Sequence, residues 1–101
     1  MPTDPVKDEY LQILEDASFI VTGRAESYDG FTIDDYMPHG DESYHQMCFL
    51  KVQRALSECR NGRSPEDSLL DLINYAAFWL GKHRAAAKQP TSADKTYDNS
   101  N

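Results

Sequence analysis

The side chains with the clearest chemical potential lie on two predicted helices in the second half of the sequence. Lys51 and Arg54 are three residues apart and would share one side of a helix. Asp67, Asp71 and Asn74 follow the spacing that places residues on one side of the next helix. If the two sides face each other, positively charged and negatively charged side chains converge between the two helices.

Such a cluster could bind phosphate and metal. Lys51 and Arg54 could hold a phosphate, because the arginine guanidinium presents a forked set of donors. Asp67 and Asp71 could hold Mg²⁺ through water. The alternative is a set of interhelical salt bridges on an ordinary solvated face, and the spacing alone leaves both interpretations open.

The other polar and aromatic residues form weaker patterns. Three histidines have no metal-ligand spacing and no nearby Cys or Ser arranged as a nucleophile pair, so they are interpreted as surface or packing residues: His39, His45 and His83. Four aromatic residues lie in or beside an acidic stretch: Tyr28, Phe31, Tyr36 and Tyr44. They could stack on a base, anchor a protein contact, or simply pin that stretch to its domain.

Length and charge limit the classes of partner. A chain of 101 residues with 40% hydrophobic residues supports one domain with a modest core, so a homo-oligomer is the default expectation. The formal charge of -7 disfavours a nucleic-acid backbone or an anionic membrane as the main partner. Residues 1–50 carry eleven of the 17 acidic residues but only Lys7 and Arg24 as cations. This asymmetry predicts packing between the halves or a cationic protein partner, with a solvated acidic surface as the alternative.

The cysteines and the N-terminus indicate a cytoplasmic protein. Cys48 and Cys59 are eleven residues apart in one predicted helix, which separates them by about 16 Å and prevents a disulfide. Without a C-x-x-C or Cys/His set they are interpreted as small core residues in a reducing compartment. The N-terminus MPTDPVKDEY lacks a signal-peptide pattern, and no apolar run reaches membrane-spanning length.

Two helices are predicted around a long loop. The first helix should run from about Pro5 to Thr22, with Asp4 as its cap. Its apolar stripe consists of Val6, Tyr10, Ile13, Ala17 and Ile20. Residues 24–40 lack a sustained period and predict a long loop with a helical turn at about 32–36. The second helix should span about Asp41 to Arg60. Its apolar stripe consists of Cys48, Phe49, Val52, Ala55, Leu56 and Cys59.

A serine cap followed by proline starts the third helix at Ser64–Pro65. The predicted core face of this helix consists of Leu69, Leu72, Ile73, Ala76 and Leu80. Further apolar residues exceed what one neighbour could cover, which indicates a self-association surface. After Lys88 the polar, aperiodic sequence predicts a disordered tail over residues 89–101. The expected fold is therefore all-α: a small three-helix bundle over residues 1–88 with a long first loop, and oligomeric.

Three segments carry a resemblance to known proteins. The stretch ILEDASFIVTGRAESYDGF at 13–31 is followed by K-x-x-R at Lys51 to Arg54 and by EDSLLDLINYAAFWL at 66–80. Together they resemble short uncharacterised phage and prophage proteins and the nucleotide-modification-associated helical domain. The resemblance implies a viral protein that works near nucleotides. Its matching positions are Arg24, Tyr28, Lys51, Arg54, Asp67, Asp71 and Tyr75.

The third helix is also similar to the all-α nucleotide pyrophosphatases related to MazG. Those enzymes hold Mg²⁺ with two acidic helical pairs, whereas the second helix here offers Lys51, Arg54 and Glu58. Binding is therefore expected rather than turnover, with the ligand a phosphorylated nucleotide or cyclic nucleotide near Lys51, Arg54 and the 24–44 region. The alternatives are an acidic protein-interaction inhibitor of a host protein and a Mg²⁺-dependent pyrophosphatase.

Overall fold

The computed structural model describes residues 4–25 and 32–88, without the side chains of residues 23–25. In this part the chain forms three α-helices and no strand: α1 (Pro5–Ala25), α2 (Asp41–Arg60) and α3 (Glu66–Lys88). A short 3-10 helix, Ile33–Tyr36, precedes α2. The predicted all-α, three-helix fold is confirmed, whereas the predicted disordered tail at 89–101 lies outside the described residues.

The helix starts follow the capping signals in the sequence. Asp4 Oδ1 accepts hydrogen bonds from the backbone N–H groups of Val6 at 3.1 Å and Lys7 at 3.3 Å. Ser64 Oγ accepts from the backbone N–H of Glu66 at 3.2 Å. Both oxygens satisfy donors that the first helical turn leaves without partners.

The turn between α2 and α3 depends on a glycine. Gly62 adopts a φ of 72°, which a side chain would disfavour. Around it, the backbone N–H of Arg63 donates to the carbonyl of Glu58 at 2.8 Å and that of Gly62 to Cys59 at 3.2 Å. This pair of bonds is the Schellman arrangement, which ends α2 and turns the chain back so that α3 lies along it.

α3 is the central helix, and its contacts with α2 are more extensive than those with α1. α2 and α3 are antiparallel, with Asp41 beside His83 at one end and Lys51 beside Asp71 further along. α1 joins α3 through a hydrogen bond of 3.0 Å from the Asn74 side chain to the carbonyl of Ala17.

The buried core is small, and the predicted apolar stripes form little of it. The buried apolar residues of the described part are Ala17, Met37, Tyr44, Ala55 and Leu70. Along the α1 stripe, exposure rises from 1% at Ala17 to 59% at Tyr10 and 82% at Val6. The described residues therefore leave the N-terminal half of this stripe largely uncovered.

The core faces predicted for α2 and α3 were wrong in their rotation. Four residues of the predicted α2 stripe are exposed, namely Phe49, Val52, Leu56 and Cys59. Leu69, Ala76 and Leu80 of the predicted α3 core face are exposed as well. Ala55 of the predicted stripe is buried, and the side of α2 that faces α3 carries Tyr44 and Lys51 beside it. The Lys51–Asp71 ion pair and the Tyr44–Trp79 ring contact join the two helices in this rotation. The predicted apolar stripes therefore lie largely outside the contact.

Two further expectations have outcomes here. Both cysteines are free, as the spacing predicted, but only Cys48 is half-buried, and Cys59 is exposed rather than a core residue. Among the helices of the described part, none combines the length and apolar character that crossing a membrane requires.

Candidate functional site

The predicted charged residues of α2 and α3 do come together. They line one cavity of about 340 Å³, which we call the charged cavity, formed by Ile20, Lys51, Arg54, Glu58, Asp67, Ser68 and Asp71. α2 contributes three of these residues and α3 another three, while α1 contributes Ile20. The spacing on each helix and the antiparallel pairing of α2 with α3 explain the convergence.

One ion pair crosses the charged cavity. Lys51 Nζ lies 3.0 Å from Asp71 Oδ2, and the two side chains expose only 12% and 16% of their surfaces. A pair this shielded from solvent interacts more strongly than a surface pair, but its desolvation cost is also larger. The salt-bridge interpretation of the sequence is therefore correct for Lys51 and Asp71.

Arg54 and Glu58 are placed differently in the same cavity. Arg54 is exposed and makes no hydrogen bond or ion pair with the rest of the described chain. The carboxylate oxygen Oε1 of Glu58 is buried and has no hydrogen-bond partner among the described residues. Buried polar atoms without partners are uncommon in folded proteins because each costs desolvation energy. The cavity thus combines the guanidinium group of Arg54, which has no partner in the described chain, with the unsatisfied oxygen of Glu58.

The donor set for a metal is incomplete. Asp67 and Asp71 both line the charged cavity, but Asp71 already pairs with Lys51. Across the residues that the structure describes, no three or more His, Cys, Asp or Glu side chains are placed to hold a metal ion. Mg²⁺ bound through water by Asp67 and Asp71 stays a prediction, and the ion would have to compete with the lysine.

The remaining predicted ligand residues are less informative. Tyr75 is half-buried on α3, one turn beyond Asp71, and does not line the charged cavity. Arg24 lies in the last turn of α1, and nothing is described of its side chain. Tyr28 lies outside the described residues.

A second polar cluster, which the sequence interpretation missed, ties the 3-10 helix to α2 and α3. The hydroxyl of Tyr44 donates to Asp34 Oδ1 at 3.0 Å, and Lys82 Nζ lies 3.1 Å from Asp34 Oδ2. The ring of Tyr44 stacks on Trp79 with 6.3 Å between centroids. Tyr44 therefore pins the segment before α2 to the domain, which was one of the alternatives for the aromatic residues.

Asp41 holds the start of α2 against the end of α3. Trp79 Nε1 donates to Asp41 Oδ1 at 2.8 Å, and His83 Nε2 lies 2.7 Å from the same oxygen. Antiparallel helices joined by a tight turn bring the first residues of one beside the last residues of the other. The sequence signal for this cluster was an acid at the start of α2 opposite Lys82 and His83 near the end of α3.

These contacts perturb the titration of the groups involved. Hydrogen bonds from Lys82 and then Tyr44 hold the pKa of Asp34 below its ordinary value. Hydrogen bonds from His83 and then Trp79 do the same for the pKa of Asp41. Burial, together with the neighbouring Asp34 carboxylate, raises the pKa of Tyr44 to about 12. At neutral pH the carboxylates of Asp34 and Asp41 are therefore ionised and hydrogen-bonded.

The space beside the second cluster is larger but less suited to a polar ligand. A cavity of about 650 Å³ is lined by residues that include Ile33, Phe78, Ala85 and Ala86. Its polar groups already pair with one another, Asp34 with Lys82 and Asp41 with His83. The charged cavity, with Arg54 and Glu58 uncommitted, is therefore the better candidate site.

Comparison with protein-family models, with curated proteins and with solved structures finds no match to this chain.

Proposed function

We propose that the chain binds a phosphorylated nucleotide in the charged cavity. The observation that carries the proposal is the pairing of the uncommitted Arg54 with the unsatisfied Glu58 oxygen in one cavity. A ligand that offers both an acceptor and a donor would satisfy both groups. A sugar phosphate has both, because its phosphate accepts from a guanidinium and its hydroxyls donate to a carboxylate.

The charge of the cavity favours a ligand with few phosphates. Three carboxylates face two cations there, so a polyphosphate would meet net repulsion. The volume of about 340 Å³ lies at the lower end of the range of roughly 300–1,000 Å³ found for ligand pockets. A nucleoside monophosphate or a cyclic nucleotide fits these limits better than a triphosphate does.

The biological setting belongs to the same proposal. The resemblance of the sequence to phage proteins suits a role in phage nucleotide metabolism, or in sequestering a host-defence nucleotide signal in the host cytoplasm. Binding without turnover is proposed, because α2 offers Lys51, Arg54 and Glu58 where the MazG-related enzymes carry a second acidic pair for Mg²⁺. Phosphate release on incubation with nucleotides and Mg²⁺ would contradict this part.

The experiment is a calorimetric titration of the Arg54→Ala variant beside the unmodified chain, with nucleoside mono-, di- and triphosphates and cyclic dinucleotides. Loss of a hydrogen bond to a charged group is worth about 1.5–3 kcal/mol, so Kd should rise roughly 10- to 100-fold. Arg60→Ala is the matched control, since Arg60 is an exposed arginine of α2 outside the cavity. Equal affinities of all three proteins, or no binding by the unmodified chain, would contradict the site.

An acidic protein-interaction role is the second candidate, and the surface of α1 favours it. This helix exposes Leu11 and Phe19 together with the acids Asp8 and Glu9. Apolar anchors within an acidic surface suit a cationic protein partner. Binding to such a partner should weaken steeply with salt and be indifferent to Arg54→Ala, which distinguishes it from nucleotide binding.

A further inference from the structure

The outer side of α3 carries an apolar stripe whose spacing is the same in both directions. Leu69, Ile73, Ala76 and Leu80 follow one another at intervals of four, three and four residues. Leu69 and Leu80 are exposed large apolar residues, Ala76 is exposed and Ile73 is half-buried. We call these four residues the outer stripe. Leu69 and Ile73 line a cavity with Glu9, Ile13 and Asp16 of α1, and Ala76 and Leu80 line another with Asp41, so the described residues flank the stripe without covering it.

We propose that the outer stripe is the interface of a symmetric dimer in which α3 packs antiparallel against α3 of a second copy of this chain. An antiparallel pair of identical helices requires a pattern that matches its own reverse. Reversal about the point between Asn74 and Tyr75 places Leu69 opposite Leu80 and Ile73 opposite Ala76. The large Ile73 side chain then meets a small residue, which allows the helices to approach closely.

The charges of α3 support a second copy as the occupant. Its first turn is acidic, with Glu66 and Asp67, whereas Lys82, His83 and Arg84 lie near its other end. The antiparallel arrangement places Glu66 of one copy beside Arg84 of the other at both ends of the interface. The net charge of -7 opposes self-association, but the outer stripe has no acid and lies in the half of the sequence that carries eight cations against six acids.

The exposed apolar area is also close to what a dimer needs. Phe49, Val52 and Leu56 of α2 are 43–54% exposed, and they share a helical side with Asp41, which contacts Trp79 and His83 of α3. With Leu69 and Leu80, they leave apolar surface on the order of 400 Å² per copy. A standard interface buries about 800 Å² per partner, rather more than half of it apolar.

The test is sedimentation equilibrium of the full chain at several concentrations. The unmodified chain should sediment at twice its monomer mass of 11.5 kDa. Ala76→Glu places a carboxylate from each copy at the centre of the interface, so it should raise the dimer dissociation constant by at least 100-fold. The control is Leu11→Glu, which alters another exposed apolar residue, on α1, and should leave the dimer intact.

A charge exchange tests the antiparallel direction. Arg84→Glu should weaken the dimer several-fold because it places an acid beside Glu66 of the second copy, and adding Glu66→Lys should restore it. Circular dichroism should show unchanged helix content in every variant, since all four positions are exposed. A monomeric unmodified chain, a dimer that survives Ala76→Glu, or a charge exchange without rescue would each overturn the proposal.

Discussion

Lys51→Met removes the cation from the half-buried ion pair between α2 and α3. Removing one partner of a fully buried pair costs about 3–5 kcal/mol, whereas an exposed pair is worth about 0–1 kcal/mol. Lys51 and Asp71 expose 12% and 16% of their side chains, which places them nearer the buried limit. Asp71 also takes part in a further interaction. We therefore expect the free energy of unfolding to fall by about 2 kcal/mol.

The assay is urea denaturation followed by helical circular dichroism, at one fixed protein concentration because association would contribute to stability. The double variant Lys51→Met with Asp71→Leu removes both charges and should recover most of the loss, since two apolar side chains of similar size can pack where the pair was. Arg54→Ala, in the same cavity, should change the free energy of unfolding by less than about 0.5 kcal/mol because Arg54 is exposed.

Two outcomes would refute this reasoning. A loss below about 0.5 kcal/mol for Lys51→Met would mean that solvent screens the pair despite its low exposure. A double variant as unstable as the single one would mean that the Asp71 carboxylate left without Lys51 is not the source of the loss, because Asp71→Leu removes it. The comparison with Arg54→Ala also separates roles: Lys51 is expected to support the fold, and Arg54 the ligand.

The remaining predictions concern the Glu58 carboxylate and the pH dependence of stability in acid. Glu58→Met should raise the free energy of unfolding by about 1 kcal/mol, because it removes a buried oxygen without a partner. The same variant should weaken nucleotide binding. A loss of stability in the urea denaturation assay would show that the Glu58 carboxylate has a hydrogen-bond partner in solution. Because the folded-state pKa of Asp34 is lowered, its ionised form stabilises the fold above the unfolded pKa of about 3.9, and this contribution is lost as pH falls through the lower folded value. Thermal unfolding of Asp34→Asn should therefore depend less on pH below about 4 than that of the unmodified chain, and parallel pH profiles would contradict the assigned contacts.

Local signals predicted the helices well because each helix end is decided by residues beside it in sequence. Asp4, Ser64 and Gly62 each satisfy or redirect backbone groups within a few residues, so their effect does not depend on the rest of the fold. The bounds predicted for α2 agree with the structure, whereas α1 continues beyond Gly23 to Ala25. A single glycine costs a helix only about 1 kcal/mol, too little to end it.

The rotation of the helices could not be predicted in the same way. The apolar stripes of α2 and α3 are the usual signal of a buried face, and on that basis Phe49 and Leu80 were expected inside. The structure buries the side that carries Lys51 and Asp71 instead. Periodicity identifies an apolar face but not whether the same chain or another copy covers it. The charged cavity was predictable because spacing alone places Lys51 with Arg54 on one side of α2, and Asp67 with Asp71 on one side of α3.

The ion pair and the outer stripe together explain why α3 has two different faces. Both sides of α3 can pack against a helix, but only the side with Asp71 can pair with Lys51. An apolar Lys51→Met, Asp71→Leu variant would make the two sides alike, so stability alone does not account for the pair. We expect this double variant to keep most of its stability but to lose its single arrangement, because α2 could then pack on the outer stripe. Its amide NMR spectrum should be broadened or doubled relative to the unmodified chain, whereas one sharp set of resonances would show that packing, without the ion pair, fixes the rotation.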